Sequence, residues 1–490
     1  MKLLLVLAAT LAVAAAGTVD PALNLAIQQG STEAILALPA IVDQVQSNPS
    51  LLSLSGDAKV SALVASLQGL TSAAQAPYVQ VASSLGLETQ TYWGSNIIHV
   101  KGLTSQTLAS LAATPGEFTL RKPVTVRMTP SIVETNATQN AQWGVAKIRA
   151  PEAWARTQGE GTVVCIIDTG VNLGHVALAD AYGGAWSDPY YNTAGPTDQQ
   201  GHGSHCAGTV LGRANGVGVA PAAQWVACRG LNHQGSGTEP NLISCAQWVL
   251  TANPRPNIVS NSWGGGSNNP WYNQVVSAWR SAGIIPVFAI GNSGPGCRTV
   301  ISPGDQPNLI SVGATTDTDA MATFSSRGPN AAGALKPEVS APGNNIVSCG
   351  TGANNYVTMS GTSMATPHTA GAIALLMSAN PSWGFDEIFT ALTTTPVHPT
   401  LSNADRNCGL PEGGDFPNHA LEATTVLQGV FMATKLYAAT SKKLSLYFDD
   451  ENAQEFVGHG FIGKGQDLIF KEIHAQFVTS VRKYFDFSAE

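Results

Sequence analysis

From residue 161 onward, short apolar runs alternate with segments of helical periodicity. Val163 to Ile167 is an unbroken apolar run that follows Gly161-Thr162 and ends at Asp168-Thr169-Gly170. Such a run, bounded by glycine, predicts a strand buried on both faces, as a parallel sheet requires. Trp225–Cys228, Ile258–Ser260, Ile284–Ile290 and Leu309–Val312 read the same way, and helices are predicted near His205–Leu211, Glu239–Leu250 and Tyr272–Ala282. Alternating β and α over about 270 residues predicts an α/β fold with a doubly wound, mostly parallel sheet. Ligands in that architecture bind beyond the carboxyl ends of the strands.

The chain upstream differs. Thr18 to Ala76 is rich in Ala, Leu and Ser with helical spacing, as in Val60, Leu63, Leu67 and Leu70. In Tyr78–Met128, Thr91–Val100 and Phe118–Val126 are β-rich, and Thr104 is placed to cap a short helix through about Ala113. Strand, helix, strand makes this a small α+β module. Downstream, residues 421–490 contain no proline and are denser in charge and aromatics. Phe470, Ile473, Phe477, Val481 and Tyr484 have the spacing of an amphipathic helix. That tail reads as a partner-binding or targeting segment, a helix covering the domain's end, or a foreign splice.

Composition narrows the class. The 490 residues are 44% hydrophobic and 11% charged, with 50 glycines, which fits a loop-rich globular protein of two or three domains. A net charge of −8 argues against a nucleic-acid partner. Lys2, the apolar run Leu3–Val13 and Ala14-Ala15-Ala16 follow the order of a secretory signal, residues 1–17. No later run approaches membrane-spanning length, so a secreted, extracellular protein with no membrane partner is expected. Export permits disulfides. With seven cysteines, Cys165 to Cys408, at least one thiol stays unpaired within a monomer. No C-x-x-C spacing points to zinc, and Asn136-Ala137-Thr138 is a glycosylation acceptor.

The candidate chemistry lies at predicted strand ends and helix starts. Asp168 closes the first apolar run; His202 stands between glycines in Gly201-His202-Gly203-Ser204-His205, which predicts close approach of another group to its ring. Asn292 follows the run Ile284–Ile290. Ser363 lies in Gly361-Thr362-Ser363-Met364-Ala365-Thr366-Pro367-His368, ahead of a helix-forming stretch. Taken singly, each reads as a turn or cap residue. Together they meet the demands of nucleophilic acyl transfer: a serine, a histidine to take its proton, a carboxylate to hold the histidine, and Asn292 with the Ser363 N–H for the oxyanion. Pro367 cannot donate to the Ser363 carbonyl, so the helix should begin irregularly.

In these motifs, over roughly Trp143 to Pro417, the chain resembles the subtilisin-like serine proteases, the subtilases. The stretches WGVAKIRAPEAW (143–154), 225–248 and NSWGGG (261–266) look closest to the bacillopeptidase F-like branch, and Cys206 is similar to the unpaired cysteine of proteinase K-like enzymes. The resemblance implies that Ser262, Trp263, Gly264 and Gly265 form one substrate-binding edge, and that Gly235, Ser236 and Gly237, within residues 231–237, form the opposing one. Ala289, with Gly264 and Gly291, would line the first specificity pocket. No charged residue is evident there, so broad preference for apolar or aromatic side chains is expected.

The same resemblance makes residues 18–135 a propeptide, with an inhibitor-like module at about 78–128, and residues 136–420 the catalytic domain. Processing is expected between Val126 and Asn140. The partners implied are protein or peptide substrates and the chain's own propeptide as intramolecular inhibitor, around a monomer. No cofactor is needed for the chemistry. The short segment Gly212–Pro221 implies that a tight calcium site is missing, and Glu338, where relatives often carry a calcium-ligating Asp, leaves structural calcium unassigned. Two alternatives stand beside a broad endopeptidase: an inactive homologue acting as a binding protein, and a narrow-specificity processing protease.

Overall fold

In the strand Val163–Asp168, successive side chains enter two different cores. Val164 and Ile166 pack with the helices His202–Leu211 and Thr362–Ala379, whereas Val163, Cys165 and Ile167 pack with Glu239–Thr251 and Asn273–Ser281. This is why the run shows no polar alternation: both faces of the sheet are covered. These features belong to a computed structural model that describes residues 17–128, 131–134 and 141–394, together with Asp405, Cys408 and residues 419–420. The chain divides into Met1–Ala433 and Thr434–Glu490, and every described residue belongs to the first unit. Residues 1–16 of the predicted signal, the Asn136 acceptor and the tail 421–490 lie outside the described residues.

The central sheet has eight strands, all parallel. Their order is 419–420, Val339–Pro342, Ile310–Thr315, Ile285–Ala289, Ile258–Asn261, Val163–Asp168, Gln224–Arg229 and Tyr182–Ser187. With helices on both faces, the fold is the doubly wound α/β sheet read from the sequence. From Val163–Asp168 the chain passes to the edge strand Tyr182–Ser187, returns to Gln224–Arg229 beside it, then crosses to Ile258–Asn261 and winds outward on that side, so the direction of winding reverses between Val163–Asp168 and Ile258–Asn261. This switch point is where such sheets open a crevice for ligands.

The N-terminal module is larger than the sequence indicated. Its five-stranded sheet begins at Thr18–Val19, and the order is Thr18–Val19, Thr119–Arg121, Glu33–Ala37, Ile97–Lys101, Glu88–Tyr92. The segment Glu-Ala-Ile-Leu-Ala at 33–37, expected to be helical, is an inner strand paired on both sides. The expected helix runs from Gly56 to Ser84, with Val60, Leu63 and Leu67 inside. Leu70 faces solvent, and the buried stripe continues through Thr71 and Gln75 instead. Gln75 is tolerated there because its Nε2 donates to Tyr92 O (3.0 Å), Asn96 Oδ1 (3.2 Å) and Ile97 O (3.3 Å). Thr104 caps Ser105–Ala112 with a reciprocal capping box.

One face of this small sheet covers the module's own core of Leu36, Ile98, Val100 and Leu120. Ile35, Tyr92 and Ile97, from its other face, join the larger core that contains Tyr272 and Trp279. Polar contacts surround the seam: Gly94 N donates to Gln247 Oε1 (2.9 Å), Gln274 Nε2 to Ser95 O (3.0 Å) and Gln46 Nε2 to Ser277 O (3.0 Å). The module is thus docked on the helices Glu239–Thr251 and Asn273–Ser281 by continuous apolar packing.

Tyr92 is 1% exposed at that seam. Tyr92→Ala should destabilise the full chain by about 3 kcal/mol, the usual cost of emptying a buried aromatic position. A urea unfolding midpoint equal to that of the unaltered chain would contradict the packing described.

Candidate active site

Asp168 is the last residue of its strand, and His202 the first of its helix. Both are out of water, and His202 Nδ1 lies 2.7 Å from Asp168 Oδ1, which also accepts from Thr169 N at 2.7 Å. Gly203 makes the approach feasible: a Cβ there would sit 2.0 Å from Gly170 O and 3.0 Å from Asp168 Cβ. The close approach read from the flanking glycines is therefore present on that side.

Asp198, which nothing in the sequence singled out, ties the two parts together. Its Oδ1 accepts from Thr169 Oγ1 (3.0 Å) and Gly201 N (2.8 Å), and its Oδ2 from Ser204 N (2.9 Å) and Ser204 Oγ (2.7 Å). One buried carboxylate thus fastens the Asp168 strand end to the first turn of the His202 helix.

Among the buried histidines of this region, His202, His205 and His368 are separated by their surroundings. Burial works to lower the pKa of His202, but the Asp168 carboxylate and the Cys206 thiol outweigh it, leaving it well above the usual histidine value. His205 and His368 lack a carboxylate partner; burial pushes them down to about 3 and about 4, so both are neutral. His205 Nε2 is held by Ile346 O (2.9 Å), and His368 Nδ1 by Met364 O (2.8 Å). Among the described residues, only His202 combines a carboxylate on one nitrogen with a second, buried nitrogen, Nε2, that has no hydrogen-bond partner. An imidazole so arranged can accept a proton at Nε2 while the carboxylate stabilises the resulting charge.

Ser363 is the second residue of the helix Thr362–Ala379, among the N–H groups that a helix leaves without intrahelical partners. Its hydroxyl donates to Ser262 O at 3.1 Å rather than to His202. Its carbonyl is the acceptor that Pro367 leaves without a donor, and Ser262 Oγ supplies one at 2.8 Å, joined by Cys206 Sγ at 3.5 Å. The helix is consequently continuous through Pro367, and the predicted irregularity does not occur. Asn292 arrives from the end of the strand Ile285–Ala289; its Oδ1 accepts from Thr362 N (2.8 Å) and Thr362 Oγ1 (2.9 Å). Those two bonds fix which end of the amide is oxygen, and Nδ2 lies 3.1 Å from where a Gly361 Cβ would begin.

The two edges expected to bind substrate are held apart, with a strand of this chain between them. Thr125–Arg127 runs antiparallel to Ser236–Thr238, Arg127 N donates to Gly264 O (3.1 Å), and Met128 N to Gly235 O (3.2 Å). Gly237 and Gly265 admit it closely: a Cβ on Gly237 would meet Val126 Cγ2 at 2.8 Å, and one on Gly265 would meet Thr125 O at 2.8 Å. Trp263 departs from expectation. Its side chain points into the core, against Tyr272 and Phe288, with Nε1 donating to Ile167 O at 2.9 Å. Ser262 likewise faces Ser363 rather than the strand. Near Ala289, Gly264 and Gly291 both flank Ile301, an apolar residue missed by sequence reasoning because nothing in its loop marks it.

Of the seven cysteines, Cys228–Cys245 and Cys297–Cys408 form disulfides; Cys165, Cys206 and Cys349 are buried thiols. The first bridge brackets the loop that carries the edge 235–238. Cys206 lies 4.0 Å from His202 Nδ1, on the helix face expected from the four-residue spacing. Among the described residues, Asp168, His202 and Cys206 are the one group of such side chains close enough to share a cation, but the first two are already committed to each other. Glu338 is engaged by Lys336 Nζ (2.5 Å) and Ser311 N (2.8 Å). No helix among the described residues is long and apolar enough to cross a membrane.

Comparison with known proteins agrees with this geometry. Residues 159–415 match the subtilase family. Bacillopeptidase F of Bacillus subtilis (strain 168) is 39% identical over 293 residues, covering 53% of this chain and 20% of that protein. Serine protease AprX of the same organism is 37% identical over 267 residues, 47% of this chain and 60% of AprX. Subtilisin Savinase of Lederbergia lenta is 36% identical over 261 residues, 52% of this chain and 91% of that protein. The chain thus spans a fifth and three fifths of the first two relatives.

The raised pKa of His202 gives its pairing with Asp168 a pH signature. The pairing contributes stability that is complete below about 6.5, the unfolded histidine value, and is lost as pH rises through the raised folded value. In a Ser363→Ala background, the stability difference between Asp168 and Asp168→Asn chains should be larger at low pH than at high pH. A difference independent of pH in urea titrations would contradict the charge-assisted pair.

Proposed function

Because the chain belongs to the subtilase family, we propose that it is a serine endopeptidase whose nucleophile is Ser363. The observation that carries this reading is the buried Asp168–His202 pair, 2.7 Å apart, with Nε2 unspent, on a helix whose Cys206 Sγ reaches Ser363 O at 3.5 Å. In the reaction the Ser363 hydroxyl exchanges its acceptor, Ser262 O, for His202 Nε2. The oxygen adds to a peptide carbonyl as the proton passes to His202, and Asp168 steadies the imidazolium. The Ser363 N–H and the Asn292 amide receive the oxyanion; loss of one such donor typically costs about 10² to 10³ in rate. His202 then protonates the departing amine, and water, deprotonated by the same nitrogen, releases the acyl group.

That Ala289, Gly264, Gly291 and Ile301 are themselves uncharged supports a broad preference for apolar or aromatic residues before the cleaved bond. Residues 18–135 act as a propeptide that keeps the enzyme inactive until it is cut. The support is the strand 125–128 lying between the two edges: a tethered segment there competes at high effective concentration without tight intrinsic affinity. The apolar N-terminal stretch and the two disulfides support secretion.

Expression of the full chain and its Ser363→Ala variant in a secretory host tests this. The unaltered chain should mature to a new N-terminus between residues 126 and 140 and digest an unfolded protein, and the variant should do neither. Equal lengths for both products by intact mass, with neither degrading the unfolded protein, would overturn the proposal.

A further inference from the structure

At the upstream end of the cleft the chain carries a carboxylate that sequence reasoning missed. Glu239 opens the helix Glu239–Thr251, directly after the edge strand Ser236–Thr238, and is fully buried. All of its carboxylate's hydrogen bonds come from the segment that continues the cleft strand backwards. Arg121 Nη2 donates to Oε1 at 2.6 Å, Arg121 Nη1 to Oε2 at 2.7 Å, and Val124 N to Oε2 at 3.0 Å. Glu239 N in turn donates to Val124 O at 2.9 Å. The antiparallel ladder of 125–127 on 236–238 therefore continues by one residue, with the Glu239 side chain replacing a backbone acceptor and gripping a guanidinium.

We propose that Glu239 is an extended substrate subsite that selects a basic side chain, arginine above lysine, at the position now held by Arg121. The inference rests on the endopeptidase reading, under which the segment leaves and Glu239 stays. A peptide that lies along the same edge must cover this carboxylate. A peptide without a basic side chain there strips it of water and returns only the single backbone hydrogen bond that Val124 N now makes, which is costly for a charge. An arginine restores both parallel hydrogen bonds, whereas lysine offers a point charge without the fork. The neutral residues around Ala289 leave the residue before the cleaved bond apolar, so the two preferences act at different distances along one substrate.

The test uses quenched-fluorescent peptides spanning residues 117–134 of this chain, with Arg, Lys, Ala or Glu at position 121. Labelling of Ser363 by a fluorophosphonate first establishes that the matured protein is active. The Arg peptide should then exceed the Ala peptide in kcat/KM by about ten- to hundredfold, the range expected for hydrogen bonds to a charged group. In Glu239→Gln that ratio should fall towards one, and in Glu239→Arg the Glu peptide should overtake the Arg peptide. A ratio within about twofold in a labelled, unaltered protein is too small for a charge-assisted pair, and overturns the subsite while leaving the protease reading intact. Retention of the full ratio in Glu239→Gln does the same. Failure of the unaltered protein to label removes the protease reading and this inference with it.

Discussion

A carboxylate and an imidazole, both withdrawn from water, hold one another through a single 2.7 Å contact between Asp168 and His202. Withdrawing either charge alone would be costly, and the neighbourhood is arranged to keep them together. Gly203 removes the side chain that would force the helix away, and Asp198 binds Thr169, Gly201 and Ser204 so that strand end and helix start move as one. The sheet's reversal of strand order at Val163–Asp168 then brings Ser262, and through it Ser363, to the same opening. The proposed nucleophile is positioned by backbone as much as by side chain. Pro367 frees the Ser363 carbonyl, and Ser262 uses it to tie the helix to the neighbouring strand.

The cleft is a second expression of the same economy. Its walls, 235–238 and 262–265, are edges that offer backbone groups, and the chain supplies its own strand to meet them. That strand is continuous with a module whose apolar face merges into the helices Glu239–Thr251 and Asn273–Ser281. Packing therefore holds the module, and the ladder directs its end into the cleft. The Arg121–Glu239 pair sits where these two attachments meet.

Much of this was legible in the sequence. The run 163–167 predicted a strand covered on both faces because nothing polar interrupts it, and both cores are present. The positions of Asp168, His202, Asn292 and Ser363 were legible because each stands at the end of a strong apolar run or the start of a helical one, and the structure pairs Asp168 with His202 and ties Asn292 to the start of the Ser363 helix. Other features were not. Glu-Ala-Ile-Leu-Ala at 33–37 is too short for its period to separate strand from helix, and Ala and Leu favour the wrong answer. Trp263 looked like a cleft residue by its neighbours, but an indole of that size is accommodated in the core, where its N–H finds Ile167 O. Glu239 entered the sequence reading only as the start of a predicted helix, since its partner stands 118 residues upstream. Cysteine pairing leaves no local trace at all.

On the proposed mechanism, Ser363 is made nucleophilic by His202, which Asp168 holds in place. The most direct measurement of this is the pH dependence of fluorophosphonate inactivation, with the modified residue located by peptide mapping. Modification is expected at Ser363, at a rate that climbs with pH through a midpoint above the ordinary histidine value, with none in His202→Ala. Modification elsewhere, or equal rates with and without His202, would contradict it.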